Sequence, residues 1–524
     1  MRNWSTVLEY ISCKVVCAIA VLLLAAFTYW AGMYTHMTYV DLENLKVRLY
    51  EDSMLLNVCW LLFSAAVLFF ISKMVLTSNE EVNQKRVRFI AILAAVFVGI
   101  VGVVWVTIND YVPYHDQLQI VMDAMDFLEG NYKDLKGYLE IYPHQIGLVF
   151  LYKILFSIWP DYEAISYFHV IWLMAIVYFT YAVSEELFEN SRISLYSIIG
   201  TVLFVPMYFY VNYAYGDLCM AACSVLGIWC LIKFCKKSFL KYAVFLMGIM
   251  TLGYLARTNV MIVIIAMMLT LLVYGISKRD WRMLIVSAAL LLVPLGTAKT
   301  ITAYYEHKAD VEMLSGSPAS LHIAMGMQDT YEGPGYYNAY NVMTYVNSGK
   351  DAEKSAAIAK EYISGRIQEM AQDVSYTKQF YLTKAMQQWN EPSFSGEIST
   401  KTFSESPGGV VQSIYFGKGQ EILRSFRNRY LFVLYAGAFA GALCNLAASG
   451  EKDSIWKKLI FVILIGGFLF SLLWENKSRY VMPYVVMLLP YSIYGIYQIQ
   501  IIIGRAAQFL MKKTVLKKNS MGVM

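Results

Sequence analysis

The chain has 524 residues, of which 58% are hydrophobic and 15% are charged, and its mean hydropathy is +0.48. This balance is too apolar for a soluble globular protein and is typical of a polytopic membrane protein. The net charge of +5 says little as a total, because the positions of the charges matter more than their sum. The eight cysteines lie in or beside apolar runs without a Cys-x-x-Cys pair, which predicts small buried hydrophobes and no disulfides.

Membrane spans are the first predicted elements. A transmembrane helix needs roughly 20 mostly apolar residues, and twelve runs meet this need. The predicted spans are 12–34, 54–76, 88–108, 163–184, 193–213, 215–235, 242–257, 260–277, 281–301, 429–448, 456–474 and 480–503. The fold class predicted from them is an all-α polytopic membrane protein with one additional interfacial or re-entrant helix and a large outer loop that contains helices.

The distribution of basic residues predicts the orientation, since Lys and Arg concentrate on the cytoplasmic side. Five basic clusters begin at Lys85, Lys233, Lys278, Lys457 and Arg505. With all five cytoplasmic, loops 35–53, 109–143 and 302–428 lie outside and both termini lie inside. An odd number of crossings must then separate the first large outer loop from the Lys233 cluster. The apolar run His144–Trp159 therefore does not cross, and we predict that it lies in the outer interface or re-enters.

These predictions divide the chain into four regions. Residues 1–87 hold two transmembrane helices, and 88–301 form a transmembrane module with the outer loop 109–143. Residues 302–428 form a large extracytoplasmic loop, and 429–524 hold the last spans and a basic tail. Within the large loop, 351–363 has the composition and spacing of an amphipathic helix, and the Gly/Pro/Tyr-rich stretch 325–337 predicts structured turns.

The unusual polar residues of the apolar regions fall on the outer side of this arrangement. They are Asp110, Asp116 and Glu140 in the first outer loop, Asp217 and Arg257 at the outer ends of spans, and Glu475 and Arg479 in another outer turn. Such residues usually face a protein interior or a watery cavity. Each also has a plain structural alternative: the loop aspartates as helix caps, the arginines reaching to lipid phosphates, and Glu475 paired with Lys477 or Arg479. A helix is predicted to begin near His115, with Asp123, Asp126 and Glu129 on a solvated face.

Several short motifs occur in a fixed order along the chain. They are Pro113-Tyr-His-Asp116-Gln, Tyr142-Pro-His-Gln-x-Gly, Tyr215-Gly-Asp217, Leu255-x-Arg257-x-Asn259, Lys384-x5-Asn390-Glu-Pro392 and Glu475-x3-Arg479-Tyr-x2-Pro483. In this order and on this side of the membrane they resemble the GT-C superfamily of polytopic glycosyltransferases. The similarity is to the branch with protein O-mannosyltransferases and the lipid A aminoarabinose transferase.

The resemblance implies a plasma-membrane enzyme that transfers a sugar, with inversion, from a polyprenyl-phosphate donor to an extracytoplasmic glycan, lipid or protein. Asp116 matches the family's first-loop acid, a general base or acceptor-orienting group, and Asp110, Glu140 and Asp217 would support it. Arg257 and Arg479 would bind the donor phosphate. His144 stands where relatives carry a basic residue for the same phosphate. The remaining predicted substrate contacts are Tyr336, Tyr337, Trp389 and Glu475.

Other functions remain open at the level of sequence. No P-loop, His-Glu-x-x-His, Gly-x-Ser-x-Gly or Asp-x-Asp motif supports an ATP-driven pump, a metalloprotease, a serine hydrolase or a soluble metal-dependent glycosyltransferase. A transporter or flippase of an envelope substrate is the main alternative, and a non-catalytic scaffold of envelope assembly is another. No cofactor is predicted with certainty, a divalent metal stays an open alternative, and no nucleic-acid partner is expected.

Overall fold

The computed structural model describes residues 4–41, 44–401, 409–448 and 453–521. The N-terminal elements are α1 Trp4–Met33, β1 Tyr34–Asp41, β2 Asn44–Glu51, α2 Met54–Val75 and α3 Glu80–Asn109. Next come α4 Asp116–Glu129, α5 Tyr138–Ile141, α6 Ile146–Phe156, α7 Glu163–Phe188, α8 Ser191–Val202, α9 Pro206–Tyr210, α10 Asp217–Lys237, α11 Leu240–Ala256, α12 Met261–Lys278 and α13 Trp281–Ala309.

The large loop contributes α14 Ala319–Gly326, β3 Asp329–Thr330, β4 Gly333–Pro334, α15 Tyr340–Asn347, α16 Ala352–Gln372, α17 Val374–Trp389, α18 Gly396–Ser399 and α19 Gly409–Phe416. The chain then forms α20 Lys418–Ala448, α21 Leu459–Leu473 and α22 Met482–Met521. Short 3-10 turns cover Lys133–Lys136, Pro143–Gln145, Thr258–Val260, Ile455–Lys458 and Ser478–Tyr480. The predicted all-α membrane class is confirmed.

Ten helices among the described residues are long and apolar enough to cross a membrane. Two of the twelve predicted spans form shorter helices. The predicted span 193–213 breaks after α8, because the chain turns at Leu203 and restarts with Pro206 at the first position of α9. The predicted span 242–257 is the 17-residue α11, which ends where Arg257 adopts an extended backbone. The 11 residues of α6 rise only about 16 Å, against a hydrocarbon core of about 30 Å.

The loops that are predicted to lie outside the membrane contain more structure than their sequences indicate. Strands β1 and β2 pair antiparallel, with Tyr34 opposite Glu51 and Asp41 opposite Asn44. The predicted helix after Asp351 is present as α16, whose first turn is capped by the Asp351 carboxylate. The predicted turns of 325–337 contain the short β3–β4 hairpin. All eight cysteines are free, and six of them are buried.

Helices α20 and α22 cross at a contact between glycines. A Cβ atom added to Gly495 would lie 1.8 Å from the carbonyl oxygen of Gly437, and one added to Gly441 would lie 2.4 Å from that of Tyr491. Gly437 and Gly441 form a small-xxx-small pattern, which lets two membrane helices approach until their backbones touch. This contact holds the C-terminal helix against the bundle.

Helix α4 begins at Asp116, as predicted, but the expectation of a solvated acidic face is wrong for Asp123. Only 1% of Asp123 is exposed. One of its carboxylate oxygens accepts a 2.8 Å hydrogen bond from Gln119, and the other has no partner within the described residues. Burial, together with the nearby Asp134 carboxylate, raises the pKa of Asp123 to about 7. The helix turns this residue toward the protein because α4 packs against α6.

The glycine contact predicts a sharp difference between two substitutions on the same helix. Gly495→Ala should lower the free energy of unfolding by about 1–3 kcal/mol, because the new methyl group forces α20 and α22 apart. Gly504→Ala should be neutral or stabilising, since nothing lies within 4 Å of a Cβ at that position. Thermal unfolding of both variants in detergent tests this. Equal midpoints would contradict the close contact.

Asp123 predicts a pH dependence of stability. Its folded pKa lies above its unfolded value, so the folded state binds the extra proton and stability falls as pH rises through about 7. Asp123→Asn should therefore unfold at a higher temperature than the wild type at pH 8 and at a similar temperature at pH 4, near the ordinary carboxyl pKa of 3.8. Glu129→Gln, at an exposed position of the same helix, is the control. A wild-type advantage at pH 8 would refute the interpretation.

Candidate active site

Three chain segments meet at the C-terminal end of α11, and two glycines permit their approach. A Cβ atom at Gly216 would lie 1.9 Å from the carbonyl oxygen of Ala256, and one at Gly147 would lie 2.7 Å from that of Leu255. The start of α6 and the turn before α10 therefore both rest directly on the backbone beside Arg257. This close packing brings the motifs around residues 142–147, 213–217 and 255–259 into one place.

Arg257 lies at the centre of this junction and is 9% exposed. Its Nε atom is 3.6 Å from a carboxylate oxygen of Asp217, which is itself buried. The guanidinium group lies 4.6 Å from the ring centre of Tyr215 and 5.3 Å from that of Tyr480. Both distances are typical of cation–π contacts. Nε makes no hydrogen bond within the described residues, so this donor is unused, and the group is held by the Asp217 charge and the two rings.

Arg479 faces the same two tyrosine rings. Its guanidinium carbon is 5.6 Å from the ring centre of Tyr215 and 5.1 Å from that of Tyr480, and one of its terminal nitrogens donates to the hydroxyl of Tyr213. Its Nε atom is also buried without a partner among the described residues. Arg257 and Arg479 therefore both contact the rings of Tyr215 and Tyr480.

The large loop fixes the turn that carries Arg479. The backbone N–H of Asn476 donates to Gly335 at 2.7 Å, and the side-chain amide donates to Pro334 at 2.9 Å and to Gln387 at 2.7 Å. Two residues further on, Ser478 donates to Glu391 at 2.8 Å. The position of Arg479 therefore depends on contacts with β4, α17 and the segment after it.

Each carboxylate oxygen of Glu475 interacts with a neighbouring side chain. One of its oxygens is 2.9 Å from Lys477 Nζ, and the other accepts a 2.9 Å hydrogen bond from the hydroxyl of Tyr480. Burial acts to raise its pKa, but Lys477 and Arg479 outweigh this effect and hold the pKa below its usual value. Glu475 is therefore ionised, and it orients Tyr480 beneath the two arginines.

Asp116 is exposed at the first residue of α4. Burial raises the pKa of four tyrosines, and the charge of Asp116 raises it further; they are Tyr138, Tyr142, Tyr215 and Tyr337. Tyr215 is also the ring beneath both guanidinium groups. Asp116, Arg257 and Arg479 therefore lie around one cluster of rings.

His144 is exposed on the turn before α6, with its ring centre 6.0 Å from that of Tyr142. Partial desolvation by the neighbouring protein lowers the pKa of His144, and the charges of Arg257 and His322 contribute in the same direction. His322 stacks on Trp474 with ring centres 4.8 Å apart, and burial lowers its pKa as well. His144 is thus a neutral imidazole at neutral pH, unlike the cation that its position in the family pattern suggests.

Other predicted site residues lie apart from the cluster or have other partners. Asp110 is exposed in a left-handed conformation at the end of α3. Glu140 forms an ion pair with Lys350 of the large loop. The predicted sugar-stacking role of Trp389 is wrong, because this side chain is fully buried, stacks on Phe27 at 4.7 Å and donates to Ser471. Tyr336 is 5% exposed, whereas Tyr337 is 44% exposed beside Lys477.

The sequence motifs contain Tyr215, Tyr480 and Lys384, but the sequence analysis assigns them no role in the site. Tyr213, Tyr215 and Tyr480 stand next to residues that the motifs single out, so their proximity to charged residues was an available signal. Lys384 is completely buried and donates to the carbonyls of Gly326 and Leu472. Burial lowers its pKa to about 7, although Glu475 acts in the opposite direction. It ties the large loop to the end of α21.

The described residues contain no group of three or more His, Cys, Asp or Glu side chains placed to hold a metal ion. The positive charge described at this site is that of its arginines and Lys477.

Comparisons with known proteins give one family match. No curated protein matches the chain. Residues 144–297 match the family model described as dolichyl-phosphate-mannose-protein mannosyltransferase, a segment that contains His144, Asp217 and Arg257. Together with the ten apolar helices, this match identifies a multi-pass membrane protein and supports a glycosyltransferase of the GT-C superfamily.

Proposed function

We propose that this protein transfers a sugar, with inversion, from a polyprenyl-phosphate donor to an acceptor on the outer side of the plasma membrane. The observation that carries the proposal is the pair of guanidinium groups, Arg257 and Arg479, around the shared rings of Tyr215 and Tyr480. The two like charges repel each other, and among the described residues Asp217 is the carboxylate at ion-pair distance from Arg257. An anionic ligand would relieve this repulsion.

A phosphate group fits the unused donors of these arginines. Arg presents a planar fork of N–H groups that binds phosphate oxygens in pairs and remains charged when buried. During transfer the bond from the anomeric carbon to the phosphate oxygen breaks, and the phosphate leaves with the electron pair. Fixed positive charge stabilises the negative charge as it develops on that oxygen. The prenyl tail would remain among the apolar helices that carry the site.

Asp116 is the proposed acceptor-activating group. The acceptor hydroxyl oxygen attacks the anomeric carbon from the face opposite the phosphate, and its proton passes to a carboxylate. Asp116 is suited to this because it is exposed, carries no described ion pair and lies near the same tyrosines as the arginines. Asp217 orients Arg257, and neutral His144 would make an uncharged hydrogen bond to the donor. Tyr337 is the exposed ring available to a sugar.

In the proposed orientation the site residues share one side of the membrane. The basic clusters of the sequence predict that both termini lie in the cytoplasm, which puts Asp116, Arg257 and Arg479 on the extracytoplasmic side. Of the four regions, 1–87 would act as an anchor and 88–301 as the catalytic module. Residues 302–428 would form a covering loop, and 429–524 would form the C-terminal bundle. The acceptor would be a glycan, lipid or protein of the envelope.

Donor binding should depend on the geometry of Arg257 as well as its charge. In the purified protein, Arg257→Gln should weaken the affinity for undecaprenyl phosphate by about tenfold to a hundredfold. Arg257→Lys should lose much of the same affinity, because lysine keeps the charge but not the fork. Arg257→Gln leaves the buried Asp217 without its partner, which favours misfolding. The double variant Arg257→Gln/Asp217→Asn removes this unpaired acid, so it distinguishes a loss of binding from misfolding. Arg282→Gln, at an exposed arginine paired with Asp280, is the matched control. Unchanged binding in both Arg257 variants would refute the phosphate role.

Asp116→Asn should lower kcat by about 10²–10⁴-fold with a small change in donor affinity, because it removes the proton acceptor and leaves the arginines in place. The assay uses the reconstituted protein with a panel of polyprenyl-phosphate sugars and envelope acceptors. Asp126→Asn, on the same helix, is the control. Transfer at the wild-type rate by the Asp116 variant would remove this residue from the mechanism.

A further inference from the structure

A second group of basic side chains lies at the start of α20, at the same end of the bundle as the β1–β2 hairpin. It consists of Lys418, Arg424, Arg427 and Arg429. Lys and Arg of membrane proteins concentrate at cytoplasmic helix ends. In the proposed orientation this group lies at the opposite end, where such a concentration needs an anionic partner.

Among the described residues, Arg427 is the member of this group with such a partner. It is buried and forms a 2.6 Å ion pair with Glu397. No carboxylate among the described residues comes within ion-pair distance of Arg424 or Arg429. Glu51 and Glu421 lie on the neighbouring strand and on α20 itself, yet neither reaches these two arginines.

Aromatic rings hold both arginines in place instead. The Arg424 guanidinium lies 4.9 Å from the ring centre of Tyr50, at the end of β2. The Arg429 guanidinium lies 5.5 Å from the ring centre of Trp60, on α2, and also donates to Ser425 on its own helix. Both groups are therefore positioned at the junction of β2, α2 and α20, with their charge uncompensated.

Large apolar side chains are exposed around this junction. Trp60 lies about 9 Å of helix beyond the first residue of α2. Leu56 and Phe63 share its helical face, and they are 45% and 58% exposed. On α20, Ile422 is 68% exposed. Tryptophan beside arginine, with exposed aliphatic side chains around them, is the composition found at the level of lipid phosphates.

We propose that the junction of β2, α2 and α20 is a binding site for an anionic phospholipid of the outer leaflet. Arg424 and Arg429 contact its phosphate, and Trp60 packs against the glycerol and upper acyl region. The site is separate from Arg257 and Arg479 and does not depend on the proposed transferase activity. Two arginines at one junction, each held against an aromatic ring, distinguish it from a single side chain that reaches to bulk lipid.

Quenching of Trp60 fluorescence by brominated lipids tests this proposal on the full-length protein in nanodiscs. Because the chain has 11 tryptophans, the contribution of Trp60 is the difference in fluorescence quenching between the wild type and Trp60→Phe. Quenching should reach half of its maximum at a lower mole fraction of brominated phosphatidylglycerol than of brominated phosphatidylcholine. We expect the two mole fractions to differ by about fivefold or more. Arg424→Gln/Arg429→Gln should abolish this preference. Arg505→Gln, at an exposed arginine near the other end of the bundle, should keep it.

Circular dichroism and size exclusion verify that the double variant is folded, and Arg424→Lys/Arg429→Lys, which keeps the charge, should retain part of the preference. Equal quenching by both lipids in the wild type would overturn the proposal. A preference that persists in the folded double variant would also overturn it. Competition by inorganic phosphate would show a soluble-anion site instead, and displacement by a trace of undecaprenyl phosphate would show a second donor site.

Discussion

The candidate site depends on keeping two guanidinium groups close together in a poorly hydrated place. Arg257 and Arg479 face the same rings, and a single buried aspartate offsets part of their charge. Without a ligand this arrangement is costly, since like charges repel more strongly where water is excluded. The surrounding structure must therefore be rigid enough to hold the arginines before any ligand binds.

That rigidity comes from close backbone contacts and from the large loop. Gly147 and Gly216 allow two segments to rest on the chain beside Arg257, and a side chain at either position would open the junction. The turn of Arg479 is tied to the large loop through Asn476 and Ser478. The loop is thus part of the binding site, in addition to any role as a cover.

Two predictions fail for the same physical reason. Residue type and local pattern predict accessible side chains for Trp389 and Asp123, and both side chains are buried. A tryptophan beside polar residues and an aspartate on an amphipathic helix look the same in sequence whether they face solvent or another helix. His144 shows a related effect on charge, because partial desolvation and the nearby charges of Arg257 and His322 lower its pKa and favour the neutral imidazole.

Local composition was enough to determine the membrane class, the position of most helices, the α16 cap at Asp351 and the separation of motifs along the chain. These features depend on apolar run length, capping chemistry and periodicity, which act between residues close in sequence. Tertiary structure alone decided that Tyr215 and Tyr480 carry both arginines, that Glu140 pairs with Lys350 and that Lys384 is buried behind the site. These partners lie far apart in the sequence, and only the packing of helices brings their side chains within reach of one another.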